Sequence, residues 1–193
     1  MNGSCTGFYD SEKIVYKIFE NIGNISRCLR KENRQGVVEL APIFYALLMD
    51  FVKSLDLDMI EIMWLKYPNI CPYCLRDEKC ACIIAGKSKY VSNDARLDFF
   101  RNKTENQPKN TTEWQGMFKR IYGHINAIKP LTAVWLHLIE EVGELVHEFE
   151  SENIDGIKEE SADVMAWFFS FCTKLNLNIA MDAEVRSEDR ISF

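Results

Sequence analysis

Apolar residues recur along most of this chain at intervals of three and four, the spacing of a helix with one buried face. Ile14, Ile18, Ile22 and Ile25 set that period in the first stretch. The pattern predicts helices over 11–31, 36–52, 56–66, 112–127, 131–151 and 156–174, with a further short one at 179–188. Thr111 or Thr112 is suited to cap the fourth, and Pro130 suits the first turn of the fifth. Val164 to Cys172 is apolar nearly all round, so its helix should be buried. No alternating strand pattern appears, and the fold class is all-α. The stretch from Gly86 to Asn110, with KSKYVSND and NKTENQPKN, is polar and turn-rich and reads as a linker.

Five carboxylates interrupt the last two apolar patterns. Glu140, Glu141 and Glu144 lie in LHLIEEVGELVHEF, and Glu160 and Asp163 in IKEESADVMAWFFSF. Glu141 and Glu144 are one turn apart on one helix face, and so are Glu160 and Asp163. A short turn at Asn153-Ile154-Asp155-Gly156 would bring the two acidic faces together. Four carboxylates beside an apolar core repel one another and lose hydration, so a cation is needed to hold them. The hard, oxygen-seeking ion that suits them, and that also carries phosphates, is Mg²⁺, with Mn²⁺ as its substitute. The bland reading of EEVGE alone is a solvated helix face. ExxD at the start of a buried helix argues against it, because unpaired acids there would be costly.

The spacing EExxE, a gap, then ExxD resembles the signature of the MazG-like, all-α nucleoside triphosphate pyrophosphohydrolases. The resemblance implies that Glu141, Glu144, Glu160 and Asp163 bind the metal. It also implies hydrolysis of a (deoxy)nucleoside triphosphate to the monophosphate and pyrophosphate. Trp114, in TTEWQGMFKRIYG, resembles the helix before EExxE, where an aromatic residue can flank the nucleobase; a core position is the other reading. Lys174, Lys119, Arg120, Arg186 and Arg190 are phosphate-binding candidates, or solvated surface charges. His137, one turn before Glu140 and Glu141, can hydrogen-bond a carboxylate or simply stand exposed.

The chain also resembles itself. Shifted by 120 residues, KIFENIGNISRCLRKENRQGVVELAPIFYALLMDFVKSLDL aligns without a gap on HLIEEVGELVHEFESENIDGIKEESADVMAWFFSFCTKLNL, with ten of forty-one pairs identical. Glu20/Glu140, Gly23/Gly143, Asn33/Asn153, Gly36/Gly156, Phe51/Phe171 and Leu55/Leu175 are among them. Every proposed ligand is replaced in the first copy: Glu141 by Asn21, Glu144 by Asn24, Glu160 by Leu40 and Asp163 by Ile43. The expected architecture is a helical bundle from two tandem MazG-like hairpins. Residues 1–70 would form a degenerate repeat and 111–193 the catalytic one. MazG-like enzymes generally pair hairpins from two chains, so the resemblance implies an internal pseudo-dimer here, with a homodimer as a further association.

Between the halves sits CPYCLRDEKCAC, with Cys71, Cys74, Cys80 and Cys82. Cys-x2-Cys followed by Cys-x-Cys can wrap one tetrahedral Zn²⁺, giving a small structural zinc knuckle over 71–85, ahead of the linker at 86–110. A redox CxxC would not require the second pair; four free thiols are the remaining reading. The preceding KYPNICPYC resembles a tail that follows the ExxD helix in some MazG-like proteins. Here it follows the degenerate repeat, which puts its contribution to the acidic site in question.

Composition narrows the classes. The chain has 193 residues, 47% of them hydrophobic, enough for a real core. A net charge of −6 with no Lys/Arg run makes nucleic acid an unlikely partner. The first residues lack the basic and apolar regions of a signal peptide, and no apolar run reaches the length of a membrane span. Seven cysteines without secretory features fit the cytoplasm. Metal-bound triphosphate would be attacked by water at the α-phosphorus, with Glu140, not needed as a ligand, as the candidate for orienting or deprotonating that water. Its retention as Glu20 in the degenerate copy argues instead for a structural role. The competing class is a noncatalytic nucleotide-binding or protein-interaction module with a structural zinc.

Overall fold

The computed structural model describes residues 4–82 and 94–179. Among them are seven α-helices and no strand: α1 (Ser4–Arg30), α2 (Arg34–Ser54), α3 (Met59–Lys66), α4 (Asp94–Arg101), α5 (Thr111–Ile128), α6 (Leu131–Glu150) and α7 (Ile154–Lys174). The fold is all-α, as the periodicity predicts. Beyond Ile179, the helix expected at 179–188 lies outside the described residues, as do Arg186 and Arg190. The chain divides into two compact units, one containing the chain up to Met59 and the other spanning Ile60–Asn178.

The first unit is the α1–α2 hairpin. α1 buries Val15, Ile18, Ile22 and Ile25, and α2 buries Val37, Ala41, Phe44, Leu48, Phe51 and Val52. These are the residues that recur every third or fourth position. By length and composition α2 could cross a membrane, which counting uninterrupted apolar runs did not reveal. A core helix passes the same test; a third of the apolar window of α2 is buried, on the face that packs against α1.

The α1–α2 turn and the α6–α7 turn, each in its own unit, are built alike. Glu32 and Glu152 both take φ 54. The amide of Asn33 donates to Cys28 O (2.9 Å) and that of Asn153 to Glu148 O (3.0 Å). Each Asn side chain then caps the next helix, accepting from the Gly36 amide at 3.1 Å and the Gly156 amide at 3.3 Å. Glycine lets both turns close tightly. A Cβ on Gly36 would meet Cys28 Sγ at 2.6 Å, and one on Gly156 would press on the Glu148 carboxylate and the Asn153 amide. The hairpins also end alike, on Leu55 and Leu175, followed by Asp56 (φ 59) and Asn176 (φ 54). The offset of 120 residues seen in the sequence thus recurs in the backbone, turn for turn.

In the second unit α6 and α7 form the hairpin and α5 packs on α7. α5 presents Trp114, Met117, Phe118, Ile121 and Ile125, and Phe118 meets Phe169 of α7 at 5.7 Å between ring centroids. Trp135 of α6 meets Phe171 at 4.8 Å. α7 is buried nearly all round from Val164 to Cys172, as its composition predicts. Each fully buried Phe contributes about 2–3 kcal/mol. Asn110, rather than Thr111 or Thr112, caps α5. Its side chain accepts from the Glu113 amide at 2.9 Å, and the Glu113 carboxylate returns to the Asn110 side chain (2.9 Å) and to the Lys109 amide (2.8 Å). Pro130 is the N-cap of α6, just ahead of its first turn.

The stretch read as a linker is not structureless. Its residues 94–101 form α4, which buries Leu97. Trp64 Nε1 donates to Arg101 O (2.9 Å) and Arg101 Nε donates to Leu65 O (2.7 Å), tying α4 to α3. The cysteine segment is likewise tied to α5 within this unit: the amides of Lys79 and Cys80 donate to Arg120 O (3.1 Å) and Ile121 O (2.8 Å).

Candidate active site

The α6–α7 hairpin brings Glu141, Glu144 and Glu160 together. One carboxylate oxygen from each lies within 4.8 Å of the others, a set able to hold a metal ion. Glu141 and Glu144 come from adjacent turns of α6 and Glu160 from the second turn of α7, so the short turn sets their convergence. Trp167 Nε1 donates to Glu141 Oε1 at 3.1 Å and fixes that carboxylate.

Asp163 stands beside this trio and is engaged on both oxygens. Tyr67 donates its hydroxyl to Oδ1, and Lys66 Nζ lies 2.9 Å from Oδ2. Lys66 also donates to Glu159 O at 3.1 Å. Tyr67 is fully enclosed, and burial first, then the Asp163 charge, hold its hydroxyl well above the usual phenol range, which keeps it a donor. For Lys66, burial opposes the charged form, but the attraction and hydrogen bond of Asp163 outweigh it and its pKa is raised.

The acids repel one another as expected. Burial, followed by repulsion from Asp163, Glu144 and Glu160, pushes the Glu141 carboxyl up to about 7, against the pull of the Trp167 hydrogen bond. Glu160 is raised too, by burial and then Asp163, with Lys66 opposing. Three crowded carboxylate oxygens are the donor set of a hard divalent cation, which would relieve the repulsion.

Next to the acids opens a cavity of about 180 Å³. Tyr67, Tyr73, Tyr122 and Trp167 give it aromatic walls, Glu141 and Asp163 an acidic edge, and Cys80 and Cys82 another side. Asn126 and Ser170 also line it; Asn126 Nδ2 donates to Ser170 Oγ at 2.9 Å. Lys129, a further lining residue, sits 4.6 Å from the centre of the Trp167 ring.

Four of the expected residues are placed elsewhere. Trp114 is 1% exposed and stacks on Phe118 in the core, so it is not a cavity wall. Lys174 donates from Nζ to the carbonyls of Asn126 and Ala127 (2.9 Å each) and to Lys129 O, closing the C-terminal end of α5. Its charge is spent on helix carbonyls rather than offered to a phosphate. Glu140 is turned outward with its side chain 61% exposed, paired with His137 at 3.1 Å. His137 in turn stacks on Trp167, with 4.5 Å between ring centroids. Arg120 is held by Asp77 O (3.1 Å) and Asn69 Oδ1.

Residues 130–186 match the family model of the MazG nucleotide pyrophosphohydrolase domain. This segment is therefore similar to the MazG domain. No curated protein matches the chain, and no solved structure does. The matched segment contains the whole α6–α7 hairpin and with it all four acids, and the all-helical fold agrees with a MazG domain. MazG domains are nucleotide pyrophosphohydrolases that generally use a divalent metal, and the acidic trio lies within the matched segment. The MazG match does not include α1 and α2. There the position of Glu141 is held by Asn21, whose Nδ2 donates to the carbonyl of Leu40 at 3.3 Å, and no carboxylate replaces Glu144, Glu160 or Asp163.

Lys66, Tyr67, Tyr73, Tyr122 and Trp167 were not singled out from the sequence. The signal for the first two was present in KYPNICPYC, a tail read as displaced from the acidic site. Within the second unit that tail is at the site, through Asp163.

Proposed function

We propose that this protein hydrolyses a nucleoside triphosphate to the monophosphate and pyrophosphate, with a divalent cation, Mg²⁺ or Mn²⁺, held by Glu141, Glu144, Glu160 and Asp163. The observation that carries this reading is the convergence of three glutamates within 4.8 Å inside the segment that matches the MazG domain. When bound, the cation supplies charge neutralisation of the triphosphate and acidifies a coordinated water.

The residues of the chain divide the remaining tasks. Glu141 is oriented by Trp167 and Glu160 is presented from the second turn of α7, just ahead of its buried stretch. Asp163 would join them by giving up Lys66, and the freed ammonium, a mobile point charge, would then be available to a phosphate oxygen. Tyr122 and Trp167 offer aromatic surface to a nucleobase, and the Asn126 amide sits beside them to bond its polar edge. Glu140 acts through a neighbour: it holds His137, His137 stacks on Trp167, and Trp167 holds Glu141. That chain of contacts makes Glu140 a positioning residue and replaces its expected role at the attacking water.

The test is pyrophosphate release from a panel of ribo- and deoxyribonucleoside triphosphates with Mg²⁺. Release of pyrophosphate with the matching monophosphate is expected for at least one of them. Tight nucleotide binding without release would instead identify a noncatalytic nucleotide-binding module.

A further inference from the structure

The four cysteines of CPYCLRDEKCAC are folded in a way that no group of free thiols needs. Their sulfurs all lie within 4.8 Å of one another, with Cys71 to Cys82 at 3.5 Å, Cys80 to Cys71 at 3.4 Å and Cys74 to Cys80 at 3.7 Å. A disulfide would put two sulfurs about 2.05 Å apart. Four thiolates around one zinc at about 2.3 Å stand about 3.8 Å apart along each edge of the tetrahedron. The observed spacing is close to that edge.

Backbone amides are aimed at the sulfurs. Those of Tyr73 and Cys74 bond Cys71, those of Arg76 and Ala81 bond Cys74, and that of Cys82 bonds Cys80 at 3.4 Å. Amide donors of this kind stabilise thiolate charge and hold ligand rotamers. The chain is bent to aim them: Leu75 takes φ 57 while its amide returns to Cys71 O (2.9 Å), the Cys71 amide bonds Arg76 O (2.8 Å), and Lys79 takes φ 44 just before Cys80. Strained non-glycine residues at both corners of a four-sulfur loop indicate a backbone shaped around a ligand.

The loop also belongs to the nucleotide cavity. Cys80 and Cys82 line it together with Trp167, Glu141 and Asp163. Tyr122, another wall, bonds Cys71 through its hydroxyl, and His124 Nε2 lies 2.9 Å from Cys80 O. The sulfur cluster is therefore one bond away from the aromatic face assigned to the base.

We propose that Cys71, Cys74, Cys80 and Cys82 bind one Zn²⁺, and that this tetrathiolate loop is a fixed wall of the nucleotide cavity that shapes the base site. Four sulfurs leave the ion no open position, so its role is to set geometry and not to activate water. The wall role rests on the pyrophosphohydrolase reading; the metal site does not.

The experiment uses the full chain, prepared without chelator and, separately, from cobalt-supplemented medium with excess Mg²⁺ to occupy the carboxylates. About one zinc per chain is expected, and the cobalt form should show the strong thiolate charge-transfer and ligand-field bands of a tetrahedral tetrathiolate site. Absence of bound zinc together with absence of those bands overturns the proposal. Nucleoside triphosphates are then added with Ca²⁺ in place of Mg²⁺, binding being followed by calorimetry. A nucleotide that binds should shift the cobalt bands, and Tyr122→Phe, which keeps the ring and loses the hydroxyl, should reduce that shift. Binding with the bands unmoved overturns the wall. If the bands are present and no nucleotide binds, the pyrophosphohydrolase reading fails while the zinc site stands on its own spectrum.

Discussion

Lys66 and Asp163 are paired at 2.9 Å, with side chains only 20% and 19% exposed, so the lysine neutralises the one acid that the glutamate trio leaves aside. The same carboxylate cannot serve Lys66 and a divalent cation equally well. Lys66→Met should therefore cost stability in metal-free buffer, about 2 kcal/mol for a part-buried charged hydrogen bond. It should also strengthen Mg²⁺ binding while slowing turnover. Calorimetric titration of Mg²⁺ into both proteins checks this; unchanged affinity in the variant would show that lysine and metal do not compete.

Glu160→Gln and Asp163→Asn should each abolish pyrophosphate release and leave the helical circular dichroism unchanged, because each removes charge from the metal set without altering side-chain volume. Asn21→Glu, in the hairpin without the other acids, should not alter the rate. Full activity in Glu160→Gln would refute the site assignment.

The pH dependence has a definite sign. The carboxyl of Glu141 is pushed from 4.5 in the unfolded chain to about 7 in the folded one. Between these values the folded state holds the extra proton, so in metal-free buffer stability falls as pH rises through the interval. Glu141→Gln escapes that loss. The variant should match the wild type near pH 4.5 and melt at a higher temperature above pH 7, and added Mg²⁺ above pH 7 should reverse the order. A difference in Tm that stays flat with pH would mean that Glu141 ionises as an ordinary surface acid.

The two kinds of glycine should separate cleanly. Gly156→Ala drives a Cβ into Glu148 and the Asn153 cap and should cost about 1–2 kcal/mol, the worth of a helix cap. A Cβ on Gly143 meets nothing within 4 Å, so Gly143→Ala in mid-helix should stabilise by about 0.5–1 kcal/mol. Chemical denaturation of the two variants measures both.

Removing residues 1–109 strips α3, α4 and the cysteine segment from the second unit and tests what that unit needs. Residues 110–193 expressed alone should self-associate or come out poorly soluble, and should lack activity in any oligomeric state because Lys66 and Tyr67 are missing. Light scattering and the pyrophosphate assay on the fragment test both halves; a monomeric, active fragment would contradict them.

The helices were readable because their periodicity is set by local spacing, and Glu141, Glu144 and Glu160 because one helical turn fixes which residues share a face. Residues 94–101 escaped because DARLDFFR is polar and its hold on the fold is tertiary, through Arg101 and Leu97. Trp114 and Lys174 were misplaced for a related reason. An aromatic residue or a lysine near a motif does not declare its direction, and Trp114 points into the core while Lys174 closes α5. The Asn110 cap lost out to its threonine neighbours because three adjacent residues are all competent caps and only the backbone chooses. Lys66 and Tyr67 were passed over because KYPNICPYC lies far from Asp163 along the chain, and only the fold brings the two together.

The contacts of Lys66 and Tyr67 with Asp163 bear on how a tandem gene of this kind ages. The leading copy has shed its carboxylates but is trailed by the lysine and tyrosine that grip the acid of the following copy. That following copy has kept its carboxylates. The tail of one copy and the acids of the other thus serve a single site, so a substitution in either is felt by both. Duplication that began as redundancy would in this way have become division of labour.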